Sequence, residues 1–300
     1  MSLNVLIEFV INTLSLGSLY ALISLGLVFV YGIMQLVNFA YGEFISAASY
    51  VLFLLGVFSN IPWPLVFLIA ILAGVAVGYL SEAIAFRPFR GRSLDALLVS
   101  SFAVSVILQH VFQLAISPRS KAVPMPAFFR ANVSALGIVI PVRNVVMIVT
   151  TAILLVAFVL LMKKTVLGVA MRGASENFVT ARLMGVPANL VISAAFIISG
   201  FLAGIVAVFW SARSGTVDPM MGSAPLLVGF IAVVIGGMHS LPGSVVGGFV
   251  YAAVANILSL TLPSTMLSYR DAFMFVIVIC FLVLKPEGLI RGSYAEERVG

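Results

Sequence analysis

The chain has 300 residues, 62% of them hydrophobic and 9% charged, with a mean hydropathy of +1.23 and a formal net charge of +6. A soluble domain carries about 25% charged residues, so this composition excludes one and describes a polytopic membrane protein. No polar block is long enough for a separate soluble domain, and the basic residues sit in short loops between apolar runs, a pattern that orients membrane proteins and is no nucleic-acid signature.

Apolar runs fall near residues 6–30, 38–58, 62–84, 94–116, 142–162, 189–210, 223–238, 243–260 and 271–284. They predict an all-α, polytopic transmembrane helical bundle of about 8–9 spans with broken helices, a single transmembrane domain over residues 1–300. The first run opens without a basic segment, its first charge being Glu8, and reads as a membrane helix and not as a cleaved leader.

The second run starts at a break, where Gly32-Ile33-Met34-Gln35 precedes Asn38-Phe39-Ala40-Tyr41-Gly42-Glu43. A carboxylate at the centre of a span costs about 2.5 kcal/mol or more. Glu43 therefore either faces the protein interior beside a transport path or sits at the interface as a helix-start carboxylate. In the first reading the free amides of the broken helix are met by Glu43 or Asn38. Glu82 ends the third run just before Arg87 and is expected to snorkel toward water. Gln109, His110 and Gln113 read as an interfacial polar cap on the fourth run, with no metal-ligand spacing. The pairs Gly74/Gly78, Gly200/Gly204 and Gly243/Gly247 have the spacing of closely packed helices.

The stretch from Lys163 to Pro187, KKTVLGVAMRGASENFVTARLMGVP, is far longer than a helix connection needs. Its middle, Ser175 to Met184, predicts a short surface helix with Phe178, Leu183 and Met184 on an apolar side. Such a helix suits a groove on a cytoplasmic partner, while the bland alternative is a basic loop that only orients the chain. Arg87, Arg90, Arg92, Lys163, Lys164, Arg172, Arg182, Lys285, Arg291 and Arg298 share one side of the alternating connections. They outnumber Arg119, Lys121, Arg130, Arg143, Arg213 and Arg270 on the other, which assigns the first side to the cytoplasm. The 163–187 loop and the C-terminus are then inside and the Ser117–Pro141 segment outside; nine crossings would put the N-terminus outside as well.

Gly236-Gly237-Met238-His239-Ser240-Leu241-Pro242-Gly243 interrupts the late apolar runs as a re-entrant turn or a tight hairpin, with His239 a solvated loop residue. Cys280, the single cysteine, reads as a small hydrophobe. Chemistry is conspicuously absent. There is no phosphate-binding G-x-x-x-x-G-K-[ST] loop, no Ser-centred elbow, no paired-His helix motif and no regular Arg series, so no catalytic or metal residue is assigned. Uphill transport would draw its energy from another subunit.

Five stretches resemble, in order, the permease subunits of branched-chain (hydrophobic) amino-acid ABC importers, the Liv-type family. They are Leu16-Gly17-Ser18-Leu19-Tyr20-Ala21-Leu22, Tyr31 through Glu43, Arg172 through Val186, Ile235 through Gly248, and Leu284-Lys285-Pro286-Glu287-Gly288-Leu289. Tyr41 departs from the family, which more often has His before the Gly-Glu pair. The resemblance implies a permease half that pairs with a second, often different, permease subunit. It also implies two cytoplasmic ATPase subunits, which bind the ATP, and an extracytoplasmic solute-binding protein; this chain itself carries no cofactor. Arg172, Glu176, Asn177, Ala181 and Gly185 match the family's ATPase-coupling segment, in a cytoplasmic loop at about 163–188. Asn38, Tyr41, Gly42, Glu43, Gly236, Gly237 and Gly243 are the candidates for the translocation path in a prokaryotic inner membrane.

Two other transport readings stay open: the same architecture carrying urea, an amide or an aromatic acid, and a stand-alone proton-coupled carrier built on Glu43. A membrane-embedded enzyme lacks the residues for a nucleophile–base or metal constellation.

Overall fold

A computed structural model describes residues 3–90, 93–135, 138–176 and 178–290. The protein is a helical membrane bundle, as the apolar runs predict. Among the described residues eight helical segments are long and apolar enough to cross a membrane. They are Leu6–Met34, Tyr41–Phe58, Trp63–Phe89, Leu94–Ala115, Val142–Lys164, Asn189–Ser214, Leu241–Thr261 and Leu267–Leu284. A ninth apolar helix, Ser223–Gly236, has 14 residues. At about 1.5 Å per residue it reaches only some two-thirds of a bilayer core of about 30 Å.

Helices are numbered in chain order: α1 (Leu3–Met34), α2 (Tyr41–Phe58), α3 (Trp63–Ser81), α4 (Leu94–Ala115), α5 (Ala127–Arg130), α6 (Val142–Lys164), α7 (Val166–Glu176), α8 (Phe178–Leu183), α9 (Ala188–Ser214), α10 (Ser223–Gly236), α11 (Leu241–Thr261) and α12 (Arg270–Leu284). The connection before α6 holds the antiparallel hairpin β2 (Asn132–Ala135) and β3 (Ile138–Pro141). A second small sheet pairs β1 (Lys121–Ala122) with β4 (Thr216–Val217). Lipid-facing apolar side chains such as Leu114, Ile153 and Ile279 are exposed, as in a bilayer they must be. Cys280 is among the exposed residues of α12.

The chain divides into two compact units. The first comprises residues 1–28, 127–152 and 228–300. Its spine is an antiparallel seam between α1 and α11. Asn256 Nδ2 donates to Thr13 Oγ1 (2.8 Å), Tyr20 meets Tyr251 edge-on at 5.3 Å, and Ser24 Oγ donates to Ser244 O (2.8 Å). Between these contacts small residues close the gap, Gly17 against Phe249 and Gly248 against the backbone of Ala21.

The second unit comprises residues 29–126 and 153–227. Its core is α2, α3 and α9. A methyl group on Gly74 would lie 2.6 Å from Gly200 O, and one on Gly78 would lie 2.8 Å from Phe196 O. Lipid supplies no hydrophobic drive between helices, so backbone proximity of this kind holds them together. The spacing of these glycines thus serves packing.

Candidate functional site

The break predicted after the first run lies between α1 and α2. Gln35 ends α1 with φ +53°, the one non-glycine residue at positive φ among those described. Asn38 is buried; its Oδ1 accepts from Ala40 N (3.0 Å) and its carbonyl from Tyr41 N (3.2 Å), so this residue organises the start of α2. Glu43 does not cap the helix. It is 1% exposed, and its Oε1 accepts from Ser105 Oγ (3.0 Å) and Gln109 Nε2 (2.8 Å), one turn apart on α4. The interfacial reading of Glu43 is therefore overturned, as is that of Gln109, whose amide turns inward because the carboxylate is the acceptor there.

Three polar atoms around this turn stay buried without a hydrogen bond: Glu43 Oε2, Asn38 Nδ2 and the Tyr41 hydroxyl. Ser46, the next hydroxyl along α2, donates to Gly42 O instead (3.3 Å). None of the ion pairs among the described residues involves Glu43. A buried acceptor beside unused donors is what a passing dipolar solute needs, since leaving such groups unmet costs about 1–3 kcal/mol each. Gly42 has a packing reason: a Cβ there would lie 2.5 Å from Gly222 O.

Glu82 is fully buried and does not snorkel. It opens a π-helical turn, Glu82–Phe86, that carries α3 into a short 3-10 turn, Arg87–Phe89. Both its carboxylate oxygens are used. Arg90 bonds Oε1, while Arg87 Nη2 (3.2 Å) and Ser193 Oγ (2.9 Å) donate to Oε2. Arg90 also donates to Asn189 Oδ1 (2.5 Å), tying the turn to the start of α9. Burial lowers the affinity of Arg90 for its proton and the Glu82 charge opposes that; a guanidinium stays charged throughout. Only the adjacency of Glu82 to three arginines hinted at this clamp in the sequence; Ser193 and Asn189 gave no signal.

The long basic loop is helical from Val166, nine residues before the predicted start at Ser175: α7 covers Val166–Glu176 and α8 covers Phe178–Leu183, while Asn177 lies outside the described residues. Arg172 is exposed and bonds back to Met162 O, capping the end of α6. Ala181 is buried and Glu176 exposed. Gly185 ends α8 with φ +86°: its N–H bonds to Arg182 O (3.1 Å) and that of Val186 to Ala181 O (3.1 Å), a pairing that needs a left-handed residue. Leu183 and Met184 are 81% and 82% exposed, whereas Phe178 turns toward a cavity.

The late break is a hairpin between α10 and α11. Ser240 Oγ accepts from Gly243 N (3.0 Å), Pro242 occupies the first turn, and Gly237 turns the chain at φ +112°. A Cβ on Gly236 would strike Gly243 O. Leu289 N and Ile290 N return to the carbonyls of Ile235 (2.9 Å) and Gly236 (3.1 Å), closing the end of α10. Gly236, Gly237 and Gly243 thus make the hairpin sterically possible. His239 lies on it as an exposed residue.

The architecture is that of a membrane permease bundle. A solved structure described as PsaBC from Streptococcus pneumoniae in complex with Fab matches at a TM-score of 0.51 and 14% identity, covering 93% of this chain and 92% of that one, which shows the fold alone. The chain belongs to the family described as branched-chain amino acid transport system / permease component, whose pattern matches residues 9–282. Similar proteins include the high-affinity branched-chain amino acid transport system permease protein BraD of Pseudomonas aeruginosa, 31% identical over 96% of each chain. The LivH protein of the same description from Escherichia coli K12 is 30% identical over 95% of this chain and 96% of that one. A probable branched-chain amino acid transport permease protein LivH of Methanocaldococcus jannaschii is 28% identical over 91% of this chain and 89% of that one.

Proposed function

We propose that this chain is one permease half of an ATP-driven importer for branched-chain or other hydrophobic amino acids, acting as a single transmembrane unit in a prokaryotic inner membrane. The observation that carries the reading is the tip of α8, where Leu183 and Met184 stand exposed at the end of a basic, polar loop. Exposed apolar pairs of that kind are anchors for a protein groove. Two cytoplasmic ATPase subunits would supply those grooves and bind the ATP. A second permease subunit completes the pathway, and an extracytoplasmic binding protein delivers the solute.

The coupling reading rests on construction. Arg172 holds α7 to α6, Ala181 seats α8, and Gly185 turns the chain into α9, so a push on α8 reaches a transmembrane helix directly. Glu176, the last residue of α7, and Asn177 belong to the same proposed coupling segment. Within the bundle, Asn38, Tyr41, Gly42 and Glu43 form the proposed polar stretch of the path. The Gly236–Gly243 hairpin is the proposed flexible element in the first unit.

The test is ATPase capture. Leu183→Ser together with Met184→Ser should abolish co-purification of the ATPase while the permease stays folded in the membrane. Undiminished capture by that double variant would move the docking surface elsewhere.

A further inference from the structure

A cavity of about 920 Å³ opens in the second unit beside α7 and α8. That lies within the usual range of small-ligand sites, roughly 300–1,000 Å³. Its wall combines two guanidinium groups and one carboxylate, Arg90, Arg182 and Glu176, with apolar Leu97, Phe178 and Ile192. Charges of both signs face one space, yet Glu176 pairs with neither arginine among the described residues. Arg90 has Glu82 as its counter-charge, but Arg182 and Glu176 form no ion pair among the described residues, and a wall with one unpaired charge of each sign is complementary to a dipolar ion. The apolar portion adds an aliphatic substituent to that description.

Two further features indicate preparation of this wall. Arg90 is held in a fixed position by Glu82 and Asn189, which sets the shape of this side of the wall. Gln35, which also lines the cavity, carries the positive φ noted above, a conformation that concentrates at ligand-binding positions.

We propose that this cavity is a second binding site, for a free aliphatic α-amino acid. Its carboxylate lies on the Arg90 and Arg182 side, its ammonium at Glu176, and its side chain against Leu97, Phe178 and Ile192. The identity of the ligand class rests on the importer reading above. The charge distribution places the cavity on the cytoplasmic side, so it samples the pool into which solute is delivered. An occupant wedged between the bundle and α7–α8 resists the motion that coupling requires, so delivered amino acid slows further import.

Equilibrium binding of labelled leucine to the purified permease–ATPase complex, without binding protein, tests this. Leucine should bind. Glycine, which lacks the side chain, and isovalerate, which lacks the ammonium, should each bind about tenfold more weakly or worse, and Arg182→Gln should lower leucine affinity by about the same factor. The exposed position of Arg182 keeps that variant folded, and its ATPase content checks assembly. Leucine binding lost in Glu43→Gln but unchanged in Arg182→Gln would place the solute in the bundle interior and overturn the proposal. Displacement by phosphoethanolamine, with aminophospholipid in the preparation, would reassign the cavity to a lipid headgroup and overturn it equally. An intact, ATP-coupled complex that binds no leucine would refute this site and leave the importer reading standing.

Discussion

Gln109 Nε2 donates to Glu43 Oε1 across 2.8 Å, joining α4 to the first turn of α2 inside the bundle. Ser105 makes the parallel contact, and the second carboxylate oxygen has no hydrogen bond. Structural and transport roles of Glu43 therefore separate by substitution. Glu43→Leu strands two donors and should destabilise the protein by about 1–3 kcal/mol. Glu43→Gln keeps an acceptor for Ser105 and Gln109, so its melting temperature in detergent should stay close to that of the parent. Uptake by Glu43→Gln should nevertheless fall about tenfold, the equivalent of one charged hydrogen bond. Parental uptake rates in that variant would remove Glu43 from the path.

Glu82 pairs with two guanidinium groups from a fully buried position. Glu82→Ala leaves Arg90, whose side chain is 16% exposed, without its counter-charge. Breaking a buried pair in this way costs about 3–5 kcal/mol. Arg87→Ala removes a partner whose side chain is 46% exposed, and should cost far less because solvent screens an exposed pair. Thermal melts of the two variants should therefore differ clearly, with Glu82→Ala much the weaker; equal melts would mean that the clamp does not bear on stability.

Much of the bundle was readable from apolar runs because a span needs about 20 apolar residues whatever its neighbours are. The polar 163–188 loop stood out as well, because it is far longer than a helix connection needs. Partner choice inside the membrane was not visible. Glu43 was left between the interior and the interface and Gln109 looked interfacial, because each sits near a helix end, and only tertiary packing brings one against the other. Glu82 misled in the same way. Its adjacency to Arg87 suggested water nearby, whereas the π-helical turn folds the arginines back over it. The early start of the loop helix was hidden too: α7 begins at Val166, before the predicted Ser175, where Gly168 packs against the backbone of Leu161 and Met162.

Gly185 discriminates backbone from bulk. Nothing lies within 4 Å of a Cβ at this position, but φ is +86°. Gly185→Asn, which tolerates the left-handed region, should retain ATPase capture, whereas Gly185→Val should lose stability at α8 by about 1–3 kcal/mol and lower capture. Equal capture by both would show that the turn is not what positions α8.

Helix contact at Gly200 should be intolerant of even one methyl group, since its Cβ would meet Gly74 O and would lie 2.9 Å from Val75 Cα. Gly200→Ala is expected to destabilise by about 1–3 kcal/mol through forced separation of α3 and α9. Gly32→Ala, with open space around it, is the control and should melt like the parent. A parental melt for Gly200→Ala would contradict the close approach of these helices.

On the function proposed above, this permease works through ATPase subunits docked on the 163–188 loop. The decisive experiment is purification of the tagged chain from its native membrane, followed by identification of its companions and reconstitution into vesicles. An ATPase and a second permease should be found in the complex, with amino-acid uptake that requires ATP and the binding protein. A chain that purifies alone and moves solute in vesicles without ATP would contradict it.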